Sequence, residues 1–172
     1  QEGVAGHGVV TSRRGPGYDS EVPLSGDFEG LRVRGRADGY NPVTNRVEEI
    51  KTVRGQKVEI AQNHQALHWA QAKIYGWLLC DSRELKQIDV ALVYFDIVSQ
   101  QERVLKERFE ADALREFFED SCRRFMHWAE REAAHRTGRD AGLAALAFPH
   151  GTFRHGQRLL AESVYKANAS AR

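Results

Sequence analysis

Residues 88–98 read IDVALVYFDIV, a run of β-branched and aromatic side chains that marks a buried strand. A buried strand needs a sheet around it and further layers to cover that sheet. Residues 102–109 are more polar and would pair with it as a more exposed strand. Residues 31–40 (LRVRGRADGY) alternate, with Leu31, Val33 and Ala37 on one side and Arg32, Arg34, Arg36 and Asp38 on the other. That period of two predicts a strand with one buried face. The segment NPVTNR, 41–46, predicts a turn opened by Asn-Pro. VEEIKTVR, 47–54, predicts the second arm of a hairpin. A short strand over 21–24 follows a loop of Gly, Pro, Ser and Asp over 12–20.

Helices supply the covering layers. Within 62–80, Leu67, Ala70, Ile74 and Leu78 recur at helical spacing and define an amphipathic helix. A long charged helix over 111–136 carries Leu114, Phe117, Phe118, Cys122, Phe125 and Trp128 on its apolar stripe, and Gly138 and Gly142 are expected to loosen the chain after it. Residues 1–9 are expected to be the end of a helix that closes at Gly6 or Gly8. The order helix, sheet, helix, sheet, helix predicts an α/β or α+β sandwich with a mixed sheet.

Composition narrows the possible functions. The 172 residues, 41% of them hydrophobic, suit one soluble globular domain. A net charge of +1 neither demands nor excludes nucleic acid, so any electrostatic footprint must be local. The two cysteines, Cys80 and Cys122, exclude a four-cysteine zinc ribbon or iron–sulfur cluster within this chain and read as buried reduced thiols. No apolar run approaches the ~18 residues of a membrane span, and the first residues have no apolar signal-peptide core. The start at Gln1 without Met suggests a fragment of something larger.

Chemistry concentrates in the hairpin. Glu49 and Lys51 are one residue apart and share a face with Val47 and Val53. A carboxylate and an ammonium beside buried valines are costly unless paired or used. Asp38 lies across the turn, within reach of Glu49. Two nearby carboxylates suit Mg²⁺ or Mn²⁺, and a lysine beside them can position water or neutralise charge on a phosphorane-like transition state. Strict alternation puts Asp38 on the arginine face, and Gly39 after it would permit a bulge that re-aims it. On spacing alone, the competing reading is a surface hairpin with a Glu–Lys pair. On the following helix, Gln71 and Tyr75 share a face with Leu67, Ile74 and Leu78, and polar groups there need partners. His64 and His68, on a neighbouring stripe, read as boundary residues. Arg13, Arg14, Arg32, Arg34, Arg36 and Arg54 cluster around the hairpin and could meet phosphates.

Gly35-Arg36-Ala37-Asp38, Glu49-Ile50-Lys51-Thr52 and Gln71-Ala72-Lys73-Ile74-Tyr75 together resemble the GxxD, ExK and QxxxY motifs of the RecB-like branch of the PD-(D/E)xK nucleases. The resemblance covers roughly residues 1–135. It implies a restriction-endonuclease-like α/β core, a central mixed sheet flanked by helices. It implies metal ligation by Asp38, Glu49 and the Ile50 carbonyl, a catalytic Lys51, and substrate positioning by Gln71 and Tyr75. His7, in Gly6-His7, stands where the branch places a further metal ligand. Arg34, Arg36 and Arg54 become candidate DNA contacts. The cofactor implied is Mg²⁺ or Mn²⁺, without an iron–sulfur cluster.

The tail gives a second resemblance. FPHGTFRHGQ, 148–157, and the helical RLLAESVYKA after it look like the entry to a DinG/XPD-type helicase motor, matching at Phe148, Pro149, Arg154 and Gln157. No GxxxxGK[ST] phosphate loop is present, so ATP hydrolysis by this chain is not expected. The resulting expectation is a nuclease domain over 1–140, followed at 141–172 by a linker and the start of a helicase region whose motor lies beyond Arg172. It would act on DNA, chiefly single-stranded, in repair or recombination, in the cytoplasm at the nucleoid or in the nucleus. A catalytically silent DNA-binding module and a protein-docking domain are the alternatives.

Overall fold

A computed structural model describes residues 2–55, 61–146 and 151–170. The chain forms α1 (Glu2–Ser12), β1 (Asp19–Phe28), β2 (Leu31–Asn41), β3 (Arg46–Val53), α2 (Gln62–Arg83), β4 (Gln87–Asp96), β5 (Gln101–Glu110), α3 (Ala111–Ala145) and α4 (Gln157–Ser170). The strands make one sheet in the order β1-β2-β3-β4-β5. Among the described residues only the β3–β4 pair is parallel, and α2 provides its crossover. This is the expected α/β class, a mixed sheet flanked by helices, consistent with a restriction-endonuclease-like core.

β4 is the buried centre, with Ile88 to Asp96 all buried. Its side chains divide between two apolar layers. Val90, Leu92 and Tyr94 join Val47 of β3, Leu78 and Leu79 of α2, and Leu114, Phe118 and Cys122 of α3. Val93 and Phe95 join Ile50 of β3 and Val10 of α1 on the opposite face. Cys80 and Cys122 are free and buried, as expected.

Several elements outrun their sequence signals. α1 does not close at Gly6 or Gly8; it continues to Ser12. A side chain at Gly6 would collide with Thr52 of β3, so that glycine serves close packing of α1 on the sheet rather than helix termination. β1 is a full strand rather than a short one over 21–24, because it pairs with β2 along most of its length. Leu67, placed on the apolar stripe of α2 by periodicity, is 67% exposed, and the buried positions of that helix are Ala72, Gly76, Leu78, Leu79 and Cys80. The first turns of α2 thus extend past the core. Phe125 and Trp128 are likewise exposed, and their rings meet in a tilted arrangement at 5.8 Å between ring centres.

Gly138 and Gly142 do not loosen the chain. α3 passes through both to Ala145, with Arg136 bonded to Glu132 one turn earlier. The chain divides into two compact units, Gln1–Trp128 and Ala129–Arg172. In the second unit, α4 begins with a reciprocal cap. The Arg154 N–H donates to Gln157 Oε1 at 3.0 Å, and the Gln157 N–H donates to the Arg154 carbonyl at 3.0 Å. Gln157 therefore has a local structural task. Phe148 and Pro149 of the tail motif lie outside the described residues. No described helix is long and apolar enough to cross a membrane.

Candidate active site

The difficulty over Asp38 is resolved by a change of phase in the strand. Ala37 and Tyr40 both belong to the core layer under α2, although positions an odd number apart should face opposite ways. Asp38 and Gly39 lie where alternation breaks. The neighbouring strand is irregular at the same level: Ser20 pairs with Gly39 and Val22 with Ala37, and the intervening Glu21 has φ of 55°. On the other side, β2–β3 pairing ends at Gly39 and Glu48. Asp38 occupies the next position, and its Oδ2 accepts the Ile50 backbone N–H at 2.6 Å. A side-chain carboxylate thus replaces the backbone ladder where the two strands part. Ile50 enters the site through its backbone, while its side chain is fully buried against α1.

Glu49, the next residue along, is 2% exposed. Its Oε1 binds Lys51 Nζ at 2.6 Å, but its Oε2 is buried without a hydrogen-bond partner among the described residues. Burial raises the Glu49 pKa to about 7; the Lys51 ammonium opposes that rise and the Asp38 charge adds to it. Asp38 is also raised, chiefly by burial, against the lowering influence of the Ile50 N–H, His7 and Lys51.

Lys51 continues the chain of contacts into α2. Its Nζ donates to Gln71 Oε1 at 3.3 Å, and Gln71 Nε2 donates to the Tyr75 hydroxyl at 3.2 Å. Gln71 and Tyr75 are one turn apart, so one helix face delivers both. The Tyr75 ring rests on the backbone of Gly35, where an added Cβ would come within 2.5 Å of the ring. The glycine of the GxxD motif and the tyrosine of the QxxxY motif are therefore packing partners.

His7 reaches Asp38 from α1, with Nδ1 at 3.3 Å from Oδ1. Glu21, which the sequence did not single out, completes a group of three. Ligand atoms of His7, Glu21 and Asp38 all lie within 4.8 Å of one another. Glu21 is exposed and paired with Arg36 at 2.6 Å. Only the β1–β2 register and the left-handed Glu21 backbone bring it here, and neither leaves a mark in the sequence.

The arginines sort differently. Arg13 and Arg14 bind Glu102, and Arg14 also binds Glu48. Arg32 pairs with Asp27 and Arg36 with Glu21. Arg54 is exposed at the end of β3 and engaged in contacts of its own. Arg34 is exposed without a hydrogen bond or ion pair among the described residues. His64 is exposed, as expected of a boundary residue. His68 is more embedded: its Nδ1 lies 3.0 Å from the Tyr94 hydroxyl, and burial lowers its pKa, with Lys51 and His64 adding to the effect.

No protein-family model matches the sequence, and no curated protein matches it. A solved structure described as "Crystal structure of SSO0001" is similar at 25% identity, with a TM-score of 0.44 over 70% of this chain and 58% of that one. The chain thus spans less than two thirds of that protein, and the site's function rests on its own geometry.

Proposed function

We propose that the chain is a metal-dependent DNA phosphodiesterase domain whose site comprises Asp38, Glu49, Lys51, Gln71 and Tyr75. The observation that carries this reading is Glu49 Oε2, a buried carboxylate oxygen without a partner among the described residues, beside a second carboxylate and a lysine. Such an atom is costly to keep in a fold unless something binds it. The donor set fits a divalent cation. Asp38 and Glu49 would hold it with the Ile50 carbonyl, and His7 and Glu21 stand on the Asp38 side. Oxygen donors suit Mg²⁺, and an imidazole among them is better tolerated by Mn²⁺.

When bound, the metal supplies an acidified water and positive charge against the phosphoryl oxygens. The chain's residues do the rest. The Ile50 N–H fixes the Asp38 carboxylate, and Lys51 balances the charge of Glu49. The Gln71–Tyr75 pair holds the Lys51 ammonium in place, where it can stabilise charge accumulating on the phosphate. Arg34 is available for a phosphate of the bound strand, whereas Arg36 must first leave Glu21 and Arg54 its present contacts.

In the same reading the substrate is single-stranded DNA, processed in repair or recombination beside a helicase motor in cis, at the nucleoid or in the nucleus. The supporting observations are the Arg154 and Gln157 pattern of the tail and the overall motif order. Incubating the purified chain with labelled single-stranded DNA and Mn²⁺ tests the proposal, beside Glu49→Ala and Lys51→Ala. Cleavage by the parent and none by either variant is expected. A parent that binds DNA but cuts under no divalent metal would point to the silent binding module instead.

A further inference from the structure

The site continues along the sheet in a direction the motifs do not cover. Tyr94 of β4 lies directly opposite Lys51 of β3 on one side and Arg103 of β5 on the other. Directly opposed residues project from the same face. Lys51, Tyr94 and Arg103 therefore form a row across three adjacent strands on the face that carries α2. Leu105 and Phe109, which share Arg103's face of β5, pack in that same layer.

Each member of the row is in a different state. Lys51 is tied to Glu49 and Gln71. Tyr94 is 3% exposed, and its hydroxyl is held by His68, which stands one turn before Gln71 on α2. The side chains flanking Lys51 and Tyr94 thus come from one stripe of one helix. Arg103 is exposed and makes no hydrogen bond or ion pair among the described residues, while its charge is felt at the Tyr94 hydroxyl. The other cations of β5, Lys106 and Arg108, face the opposite way and are both paired with Asp89. A charge on an edge strand can serve only to discourage sheet-to-sheet pairing. Arg103 differs from its neighbours in being unpaired and in line with the candidate catalytic lysine.

We propose that this row is a track for the phosphodiester backbone of the substrate strand, in which Arg103 binds a phosphate flanking the one that is cut. Neighbouring strands are about 4.8 Å apart, which puts the Arg103 backbone roughly 10 Å from that of Lys51. Its guanidinium therefore meets a neighbouring phosphate rather than the scissile one. The buried Tyr94–His68 pair forms the floor between the two cations and fixes their separation. The proposal deepens the nuclease reading and rests on it for the identity of the scissile site.

Two readouts on Arg103→Ala, Arg103→Glu, Arg103→Lys and Lys106→Ala test it. The first is binding of fluorescent oligothymidylate to the metal-free protein across a salt series. Arg103→Ala should lower the slope of log affinity against log salt by about 0.7, the value of one single-strand phosphate contact. Arg103→Glu should lower it further, Arg103→Lys should restore it, and Lys106→Ala should leave it unchanged. The second is Mn²⁺-dependent cleavage. Arg103→Ala should raise KM for the oligonucleotide several-fold at unchanged kcat. It should leave cleavage of bis(p-nitrophenyl) phosphate, which has no flanking phosphate, unaltered. An unchanged salt slope in Arg103→Ala, or a parent that does not bind the oligonucleotide, overturns the track. Equal loss on both substrates also overturns it, since Arg103 would then act at the scissile centre or on the fold. If the parent cleaves neither substrate but the salt slope responds as stated, the track stands and the nuclease reading falls.

Discussion

Glu48 and Glu49 are adjacent in β3, almost equally buried at 1% and 2% exposure, and face opposite sides of the sheet. Their surroundings differ completely. Both oxygens of Glu48 are occupied: Oε2 accepts from Arg14 Nε at 2.8 Å and from the Tyr18 hydroxyl at 2.9 Å, and Oε1 pairs with Arg46 at 2.9 Å. Glu49 has Lys51 on one oxygen and, among the described residues, no hydrogen-bond partner on the other. A buried carboxylate is tolerated in a fold when its lone pairs are filled. Glu48 meets that condition from within the chain and ties the 13–18 loop to the sheet. Glu49 does not, and the Asp38 charge is felt at its carboxylate. Within one dipeptide, the saturated carboxylate has a structural task, and the unsaturated one is the carboxylate proposed to bind metal.

The largest test of this contrast exchanges each carboxylate for its amide. Glu49→Gln should reduce cleavage by roughly 10³-fold, by analogy with loss of a group that stabilises transition-state charge. It should leave the metal-free thermal midpoint equal or higher, because it removes an unsatisfied buried acid. Glu48→Gln should do the reverse. It strands Arg14 and Arg46 against a neutral group and should destabilise the fold by about 3–5 kcal/mol, read by denaturant unfolding. Should Glu48→Gln fold normally while Glu49→Gln unfolds, the assignment of the two roles is inverted.

The pH dependence of stability sharpens the same distinction. Glu49 is raised from the ordinary 4.5 to about 7. Between those values the folded protein holds a proton that the unfolded chain has lost. The stability of the metal-free protein therefore decreases as pH rises through that window and levels off above about 7. On the proposed reading Mn²⁺ would bind the ionised carboxylate, so its affinity should increase over the same interval. Thermal melts at several pH values, with and without Mn²⁺, check both trends. Glu49→Gln should flatten this component of the metal-free profile. A metal-free profile that rises with pH between 5 and 7 would contradict the burial of Glu49 as a half-satisfied acid.

What the sequence revealed of this site follows from which constraints are local. The i, i+4 spacing of Gln71 and Tyr75 and the i, i+2 spacing of Glu49 and Lys51 fix shared faces without knowledge of the fold. The core strand β4 was equally legible, because burial on both faces fills it with apolar residues. The aim of Asp38 was not, since it depends on a loss of alternation in two paired strands at one level. Glu21 was invisible because a non-glycine residue in a left-handed conformation carries no signature of its own. Gly6 gave a misleading signal: its lack of a side chain answers to Thr52 of a distant strand, not to the end of α1. Leu67 misled differently, because helical periodicity shows which stripe is apolar but not where the helix passes beyond the sheet.

The Gln71 bridge should have a smaller effect than Glu49. Gln71→Ala removes the Oε1 that holds Lys51 and the Nε2 that holds Tyr75. A group that orients a catalytic residue typically contributes 10–100-fold, so a loss of roughly that size in kcat is expected. Loss of the positioning should also appear as a changed pH–rate profile, since Lys51 balances the ionised Glu49. Gln71→Glu separates positioning from simple packing. It keeps the shape and an acceptor for Lys51, and should retain more activity than alanine while weakening DNA binding through its added negative charge.

The smallest effect extends the rule of saturation to the surface. Arg34 and Arg36 point from the same face of β2, but Arg36 is already paired with Glu21 and Arg34 has no ion-pair partner among the described residues. A free exposed cation can neutralise a phosphate without first giving up a partner. Arg34→Ala should therefore reduce the salt dependence of single-strand binding by about 0.7 in the slope of log affinity against log salt. Arg36→Ala removes a cation but also releases the Glu21 carboxylate, whose charge then faces His7 and Asp38. Its salt slope should change less than that of Arg34→Ala, while Mn²⁺ binding, measured calorimetrically, should tighten if Glu21 turns to the metal. Equal salt effects from the two arginines would mean that the Glu21 pair opens freely in solution, and that pairing at this exposed position does not separate structural from substrate-binding cations.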